Sequence, residues 1–407
     1  MQPEILSPAG DMTCLQAALD AGADAVYLGL ASFNMRSMAT RNFTRETLPE
    51  ASERCRARGV KIYLALNTLI YENELDAVRG ELNFAKPFID AAIVADWAVA
   101  RICVAESIPF HISTQMSCSN SAAAKFMIAQ GASRIVLARE CSLDEVREIA
   151  HEIAPAQVEV FVHGAMCVAV SGRCLLSHEA YGGGTSACSA SRGECRQPCR
   201  RRYLIREIRE GDDATAEFEV EPHAVLSARD LCSLPFLDKL VAAGVGAFKI
   251  EGRARNPEYV ATVTRAYKRA VLAIADGAWN AALAEALVAE CARVYHREFG
   301  CGLYHGRPGA NQMTDDENHA TEKKLHSGIV MNYYKRAQAV QVMIQDRELR
   351  VGDRISIHGP ATGVVDLIVE SLRRDDETPD VAERGNWITV PCREIVRAGD
   401  KVFLVEG

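Results

Sequence analysis

The chain contains eight short apolar runs, and each is followed by a stretch with the pattern of an amphipathic helix. The runs are EILSPAG, AVYLGL, KIYLALN, AAIVAD, FHIST, RIVLAR, VEVFVHG and AFKIEGR. Strands that alternate with helices form parallel sheets, and near-continuous apolarity indicates strands that are covered on both faces. The pattern therefore predicts an α/β fold, and the number of runs predicts a (β/α)8 barrel of the TIM type.

A doubly wound open sheet is the alternative α/β architecture. Sheets of that kind that bind nucleotides carry a glycine-rich turn after the first strand. Here the first strand is followed by Ser-Pro-Ala-Gly, and neither G-x-G-x-x-G nor G-x-x-x-x-G-K-[ST] occurs in the chain. These features favour the barrel.

One gap between runs is far longer than a crossover helix requires, because VEVFVHG ends at Gly164 and AFKIEGR begins at Ala247. We predict an insertion over about residues 165–246, after strand seven and on the face where barrel enzymes carry out chemistry. Helical patterns continue to about residue 300, and a polar linker follows over 301–324. Short strand-like runs with glycine and aspartate turns then predict a small C-terminal antiparallel β-barrel over 325–407, beside a barrel domain over 1–300.

The composition limits the class of protein. With 48% hydrophobic and 25% charged residues, the 407-residue chain can bury a full core. The net charge of -8 argues against a uniformly basic coat. The sequence has no secretory signal pattern and no apolar run of about 18 residues, so we expect a cytoplasmic protein without membrane insertion. The fourteen cysteines are then expected to be ligands, catalysts or core residues rather than disulfides.

Six of the cysteines are clustered in the region of the insertion. Their spacing lacks the paired C-x2-C of zinc ribbons and the runs typical of ferredoxins. It leaves a metal or cluster site and a set of buried idle thiols equally open, although the softness of thiolates favours iron–sulfur or zinc over a hard cation. The six are Cys167, Cys174, Cys188, Cys195, Cys199 and Cys232.

Polar side chains follow several predicted strands, at positions expected to point into the mouth of the barrel. His163, Glu251 and Arg253 are the candidate catalytic residues. His163 could donate a proton or support a cluster sulfur, and Arg253 could bind a carboxylate through two nitrogens. A structural histidine and a buried Glu251–Arg253 pair are the alternatives. Asn67 and Gln115 offer amides to a base edge or a carboxylate.

A basic segment lies within the insertion. RGECRQPCRRRYLIREIR holds seven arginines against two glutamates over residues 192–209. Such a density of charge could neutralise phosphates or a dicarboxylate, and a solvated basic face is the alternative. Arg173, Arg196 and Arg200 are the candidate substrate contacts.

Four segments together resemble the bacterial collagenase-like peptidase family U32, over about residues 1–275. They are EILSPAGDMTCLQAALDAGADAVYLGL, CVAVSGRCLLS, RGECRQPCRRRY and LSARDLCSLPFLDKLVAAGVGAFKIEGRARNPEYVATVTRAYKRA. The resemblance implies a 4Fe–4S protein that hydroxylates without oxygen, acting on the wobble uridine of transfer RNA with prephenate as co-substrate, on ribosomal RNA, or on a quinone precursor. The length of the chain favours the transfer RNA type, with a paralogous protein as a further candidate partner.

The resemblance also implies the cluster ligands, which match Cys167, Cys174, Cys195 and Cys232. A glycine-rich insert between the second and third ligands is longer than in some members of the family and adds Cys188. Cys188 and Cys199 therefore stay open as substitutes.

The family's name keeps proteolysis as an alternative function. The chain has no G-x-S-x-G elbow and no H-E-x-x-H helix, since His151-Glu152 is followed by Ile-Ala-Pro. A Cys–His dyad remains open, because its members need only be adjacent in space. A peptidase would use one activated cysteine, whereas this loop has several, so RNA hydroxylation is the favoured function.

Overall fold

The computed structural model describes residues 2–38, 41–181, 189–207, 217–220, 227–306, 313–315 and 317–407. All eight predicted runs form parallel strands, and the last of them pairs with both the first and the seventh, so the barrel is closed as predicted. The barrel strands are β1 (Glu4–Pro8), β2 (Ala25–Leu28), β3 (Lys61–Leu66), β4 (Ala91–Val94), β5 (Phe110–Ile112), β6 (Arg134–Val136), β7 (Gln157–Gly164) and β11 (Ala247–Ile250).

Helices connect the barrel strands and cover them. The described helices are α1 (Met12–Asp20), α2 (Leu48–Arg56), α3 (Leu75–Ala85), α4 (Trp97–Ala105), α5 (Ser121–Ala129), α6 (Leu143–Ile153), α7 (Leu176–Tyr181), α8 (Leu237–Ala242), α9 (Pro257–Ala275) and α10 (Ala281–Ala292). None of these helices is both long enough and apolar enough to cross a lipid bilayer.

Helix α6 illustrates how local sequence specifies an element. Ser142 and Glu145 form a reciprocal capping box that satisfies backbone N–H groups at the start of the helix. Val146, Ile149 and Ile153 recur at helical spacing, and all three are buried. The apolar stripe therefore packs on the barrel while the polar face is solvated.

The interior of the barrel carries a buried charge network near its floor. The Arg134 guanidinium lies 2.7 Å from Glu4 and 3.2 Å from Glu159. The Lys249 ammonium lies 2.9 Å from the other oxygen of Glu159. These charges compensate one another, as buried charges must in a low-dielectric interior.

The insertion after β7 returns to the barrel through an added strand. Strand β10 (Asp230–Cys232) pairs antiparallel with the end of β7, so that Cys232 lies opposite His163. Strand β12 (Phe299–Gly300) extends the sheet beyond β10. Outside the barrel, β8 (Tyr203–Arg206) and β9 (Glu217–Val220) form a two-stranded hairpin.

The C-terminal part is a six-stranded antiparallel sheet with its own core, which confirms the predicted antiparallel module. It packs on the barrel helices α1 and α9. From the neighbouring helix α2, the Arg54 Nη1 donates to the Pro360 carbonyl at 2.5 Å. The predicted domain limits at 300 and 325 stay predictions. The strands are β13 (Lys323–Tyr334), β14 (Ala339–Ile344), β16 (Arg354–Gly359), β17 (Gly363–Ile368), β19 (Trp387–Pro391) and β20 (Lys401–Glu406), with β15 (Leu349–Arg350) and β18 (Val381–Ala382) paired beside them.

Candidate functional site

Two adjoining cavities occupy the C-terminal mouth of the barrel. The first, called here the thiol pocket, has a volume of about 120 Å³ and is lined by residues of the insertion, with Arg297 among its walls. The second, called here the inner cavity, has a volume of about 60 Å³ and lies among the ends of the barrel strands. The two cavities share Met35, Arg36, Gln115 and Arg139 as a common wall.

Four of the clustered cysteines line the thiol pocket: Cys167, Cys174, Cys195 and Cys199. Burial raises the pKa of the Cys174 thiol, and the neighbouring thiolates of Cys167 and Cys195 raise it further. The pKa of Cys199 is raised by burial and by the other three sulfurs, against the lowering effect of Arg200. Thiolates that repel one another in this way are stabilised when a cation accepts them, so the donor set fits a soft metal centre.

Cys232 is placed apart from this group. It is buried in β10, where its sulfur lies 3.9 Å from the Tyr267 hydroxyl, and it does not line the thiol pocket. Burial raises the pKa of its thiol to about 11. Its predicted ligand role stays a prediction, and Cys199, which lines the thiol pocket, stays open as a substitute. Cys188 lies outside the described residues.

Among the residues that the structure describes, no group of three or more His, Cys, Asp or Glu side chains has the geometry to hold a metal ion. The fit of the thiol pocket to an iron–sulfur cluster therefore depends on its having four cysteine sulfurs as donors.

Arginines fix the loop that carries the thiols. The Arg200 guanidinium is buried and donates to the carbonyls of Met166 and Ala228 at 2.7 Å each, and to the Ser227 hydroxyl at 2.6 Å. Arg192 donates to both oxygens of Glu74, at 2.7 and 2.6 Å. The sequence predicts that Arg200 binds substrate. Its hydrogen bonds instead hold the cysteine loop in place, and its side chain also lines the thiol pocket.

A glycine lets the loop approach the barrel closely. Gly172 has a φ of +77°, and a Cβ there would lie 2.2 Å from the Gln115 carbonyl oxygen. Any side chain at this position would clash with the backbone after β5, so glycine is required.

Glu251 and Arg253 both line the inner cavity, as their strand-end positions predicted. Glu251 lies 3.0 Å from Arg36 and 3.8 Å from Arg139, so its partners are these two arginines rather than Arg253 alone. Burial would raise the pKa of Glu251, but Arg36, Arg139 and Arg253 outweigh it and hold that pKa at about 2. The carboxylate is therefore ionised and serves as a fixed negative charge.

The two predicted amides reach the cavities. Asn67 lines the inner cavity and accepts a hydrogen bond from the Met35 backbone N–H at 3.2 Å. Gln115 lines both cavities. Their predicted contacts with substrate stay predictions that this placement permits.

His163 is buried behind the mouth and lines neither cavity. Its Nδ1 lies 3.3 Å from the Tyr267 hydroxyl, and its ring packs against Phe299. Burial, aided by His296 and Arg255, lowers its pKa to about 3. The imidazole is therefore neutral at pH 7, which matches the structural alternative rather than a proton donor.

The predicted basic contacts divide between surface and interior. Arg173 and Arg196 are exposed on the loop that carries the thiols. The guanidinium groups of Arg196 and Arg201 both lie over the Tyr181 ring, at 5.4 and 5.3 Å from its centre. Because Arg196 and Arg201 are both exposed, this cluster of aromatic and cationic groups lies at the protein surface.

Sequence reasoning missed the two arginines of the common wall. Arg139 ends the run RIVLAR and its Nη1 donates to the Ala165 carbonyl at 3.1 Å, while Arg36 lies in the loop after β2. Arg139 could have been found by the rule that selected its neighbours, since it follows a barrel strand. Arg36 carries no such signal, because only the course of its loop brings it to Glu251.

Comparison with known proteins identifies the family. The family model "Peptidase family U32" matches residues 10–314. The chain belongs to peptidase family U32. A collagenase of Porphyromonas gingivalis is 38% identical to this U32 chain over 98% of the chain and 97% of the relative.

Other U32 relatives carry names of RNA-modifying proteins. A "tRNA hydroxylation protein P1" of Bacillus subtilis is 32% identical, over 92% of this chain and 88% of the relative. A "23S rRNA 5-hydroxycytidine C2501 synthase" of Escherichia coli is 37% identical, over 67% of this chain and 40% of the relative. The family thus includes relatives named for two different activities.

Proposed function

We propose that this U32 chain hydroxylates a pyrimidine base of RNA, using a 4Fe–4S cluster held at the mouth of the barrel. The observation that carries the proposal is that four cysteines line one pocket at the C-terminal face, where barrel enzymes place their chemistry. The names of the relatives from Bacillus subtilis and Escherichia coli support RNA hydroxylation as the reaction class.

The finer proposal is 5-hydroxyuridine formation at the wobble position of transfer RNA, with prephenate as the co-substrate. The relative named for transfer RNA matches this chain over 88% of its own length, whereas the relative named for ribosomal RNA is matched over 40% of its length. Agreement over most of both chains favours a transfer RNA substrate over a ribosomal RNA substrate. Such a substrate implies a cytoplasmic site of action.

Cys167, Cys174, Cys195 and Cys199 would hold the cluster. Thiolates are the ligands that 4Fe–4S clusters require, and the raised pKa values of Cys174 and Cys199 are those of thiols that need a cation in order to ionise. When bound, the cluster supplies one-electron redox chemistry beside the substrate. Arg200 holds the loop that carries these sulfurs.

The remaining residues of the mouth would bind and orient the base. An RNA base must leave its stack to reach an enclosed pocket, and hydrogen bonds to its polar edge then fix its position. Gln115 and Asn67 present amides suited to a uracil edge, and Gln115 belongs to both cavities. The ionised Glu251 fixes Arg36 and Arg139 in the wall between the cavities.

The exposed basic groups of the cysteine loop would bind the RNA backbone. Arg173, Arg196 and Arg201 are exposed, and Tyr181 offers a ring on which a base could stack. In a chain of net charge -8, this local positive charge would direct an RNA strand toward the thiol pocket. Binding by these residues should weaken steeply as salt concentration rises.

Proteolysis is the second candidate, and the name of the Porphyromonas gingivalis relative favours it. A cysteine peptidase pairs one thiolate of lowered pKa with a nearby imidazole. Among the described residues that line the thiol pocket there is no histidine, and burial raises the pKa values of Cys174 and Cys199 rather than lowering them. The geometry therefore favours thiols as ligands.

Mass spectrometry of nucleosides from a deletion strain tests the proposal. Transfer RNA from the strain should lack 5-hydroxyuridine, and the wild-type gene should restore it while Cys195→Ser should not. Arg147→Met is a matched control, because Arg147 is an exposed α6 residue paired with Asp144. Unchanged nucleosides in the deletion strain would contradict RNA hydroxylation, and loss of a ribosomal nucleoside instead would move the substrate to ribosomal RNA.

A second assay separates the enzyme from a required partner and from a peptidase. The anaerobically purified chain is incubated with undermodified transfer RNA and prephenate, and separately with collagen. Modification by the chain alone would show that no paralogous protein is needed. Collagen cleavage that survives removal of iron would support the peptidase candidate instead.

A further inference from the structure

The C-terminal sheet packs on the barrel mainly through one edge. Its strand order is β17–β16–β20–β13–β14–β19, and β17 is the strand that contacts α1 and α9. Strand β19 lies at the opposite edge. On the inner side of the sheet, Val330, Val342 and Ile388 belong to the core of the module and are buried. The side chains that alternate with them therefore lie on the outer side.

Strand pairing aligns six uncharged side chains in two rows across the outer side of β13, β14 and β19, called here the outer sheet face. Trp387 is 48% exposed, and Tyr334, at the end of β13, is 40% exposed. An exposed surface of aromatic, apolar and uncharged polar groups indicates an interaction site. The two rows are Ile329, Met343 and Trp387, and Asn332, Gln341 and Thr389.

Cations border the outer sheet face. Lys401 of β20 lies opposite Ile329 and continues the first row. Lys335 and Arg336 follow Tyr334 in the turn between β13 and β14. All three cations are exposed, and in the described part of the chain no carboxylate forms an ion pair with any of them. The arginines of this module that do form ion pairs are Arg350, Arg354 and Arg374.

The distribution of charge favours a polyanion as the ligand of this face. Residues 323–345, which form β13, β14 and their turn, include four cations and no carboxylate. A second copy of the chain, docked about a two-fold axis, would bring the same cations against one another. An RNA strand instead supplies phosphates for the cations and bases for the exposed ring, as in sheets that bind single strands. Gln341 and Thr389 add groups that can form hydrogen bonds with base edges.

We propose that the outer sheet face binds a single-stranded segment of RNA. A base stacks on the Trp387 ring, and Lys335, Arg336 and Lys401 contact the backbone. The proposal rests on the proposed function for its choice of RNA and adds a second RNA-binding surface, in a different module from the cysteine loop. The C-terminal module then anchors the RNA whose base enters the barrel mouth.

Fluorescence anisotropy tests the surface, with full-length protein and a labelled, unmodified transfer RNA transcript. Trp387→Ala should weaken binding by about fivefold or more, because it removes a stacked base. Trp97→Ala is the matched control, since Trp97 is an exposed tryptophan of α4, and it should leave the affinity unchanged. Equal affinity of the Trp387→Ala and wild-type proteins would overturn the proposal.

Intrinsic fluorescence identifies the stacked ring. The chain has three tryptophans, Trp97, Trp279 and Trp387. An oligouridylate of about 12 nucleotides should quench the emission of wild-type and Trp97→Phe proteins, and this quenching should disappear in Trp387→Phe. Quenching of the same size in Trp387→Phe would contradict stacking on this residue.

The role of the cations is tested by salt dependence. Changing Lys335→Gln and Arg336→Gln together should reduce the slope of log affinity against log salt concentration for the oligouridylate by about 1.4, because two phosphate contacts are lost. An unchanged slope would overturn their assignment. If Trp387→Ala converts a wild-type dimer into a monomer in sedimentation experiments without RNA, the face belongs to a second copy and the proposal fails.

The outcome is separable from that of the nucleoside analysis. These assays contain no prephenate and record no modification. RNA binding that depends on Trp387, combined with unchanged nucleosides in the deletion strain, would refute hydroxylation and leave the surface in place.

Discussion

Replacing Glu251 by glutamine should destabilise the barrel markedly at pH 7. The Glu251 side chain is 14% exposed and lies beside Arg36 and Arg139, so Glu251→Gln leaves two half-buried guanidinium groups without their counter-charge. The pKa of Glu251 falls from 4.5 to about 2 in the folded protein. At about 1.4 kcal/mol for each pKa unit, the ionised carboxylate stabilises the fold by about 3 kcal/mol. This figure agrees with the roughly 3–5 kcal/mol that breaking a buried ion pair costs.

The effect of Glu251→Gln should depend on pH. Because the folded pKa is depressed, the stabilisation is fully present above pH 4.5 and is lost as the pH falls toward about 2. Urea unfolding followed by circular dichroism at pH 7 measures the loss through the shift of the midpoint at constant slope. Glu152→Gln is the control, because Glu152 pairs with Lys125 on the surface and should shift the midpoint little. A Glu251→Gln midpoint equal to that of the wild type would refute the role given to this carboxylate.

Three further variants test the packing of the site. Arg200→Leu removes three hydrogen bonds, two of them buried, and should cost about 2 kcal/mol or more of stability. Faster proteolysis of the cysteine loop is the measured result, and wild-type cleavage rates would contradict this role. His163→Phe should make the protein lose less stability as the pH falls from 6.5 toward 3. The buried histidine has a pKa of about 3 in the folded protein, so between these pH values only the unfolded chain binds a proton there, which favours unfolding. An unchanged pH dependence of the urea midpoint would argue against this role. Gly172→Ala should lower the melting temperature, because the added Cβ would lie 2.2 Å from the Gln115 carbonyl oxygen and clash with it. An unchanged melting temperature would mean that the loop can shift away from the barrel and avoid the clash.

The barrel was predictable because its signal is local. Each strand is buried on both faces, so each appears in the sequence as a short apolar run, and the 165–246 insertion appears as an interrupted spacing. The burial of Cys232, apart from the other described cysteines of the insertion, was not predictable from spacing, since it depends on β10 returning antiparallel to β7. The same pairing of β10 with β7 covers His163, so this residue does not line the mouth although it lies near the end of a barrel strand.

Counting the sulfur ligands tests the central claim most directly. Iron and acid-labile sulfide are measured, together with the visible absorption spectrum, in anaerobically purified protein carrying single cysteine-to-serine changes. The account predicts that the cluster signal is lost on changing Cys167, Cys174, Cys195 or Cys199, and is kept on changing Cys232 or the core residue Cys118. A cluster that survives Cys199→Ser but disappears in a folded Cys232→Ser protein, or wild-type protein without iron, would contradict it.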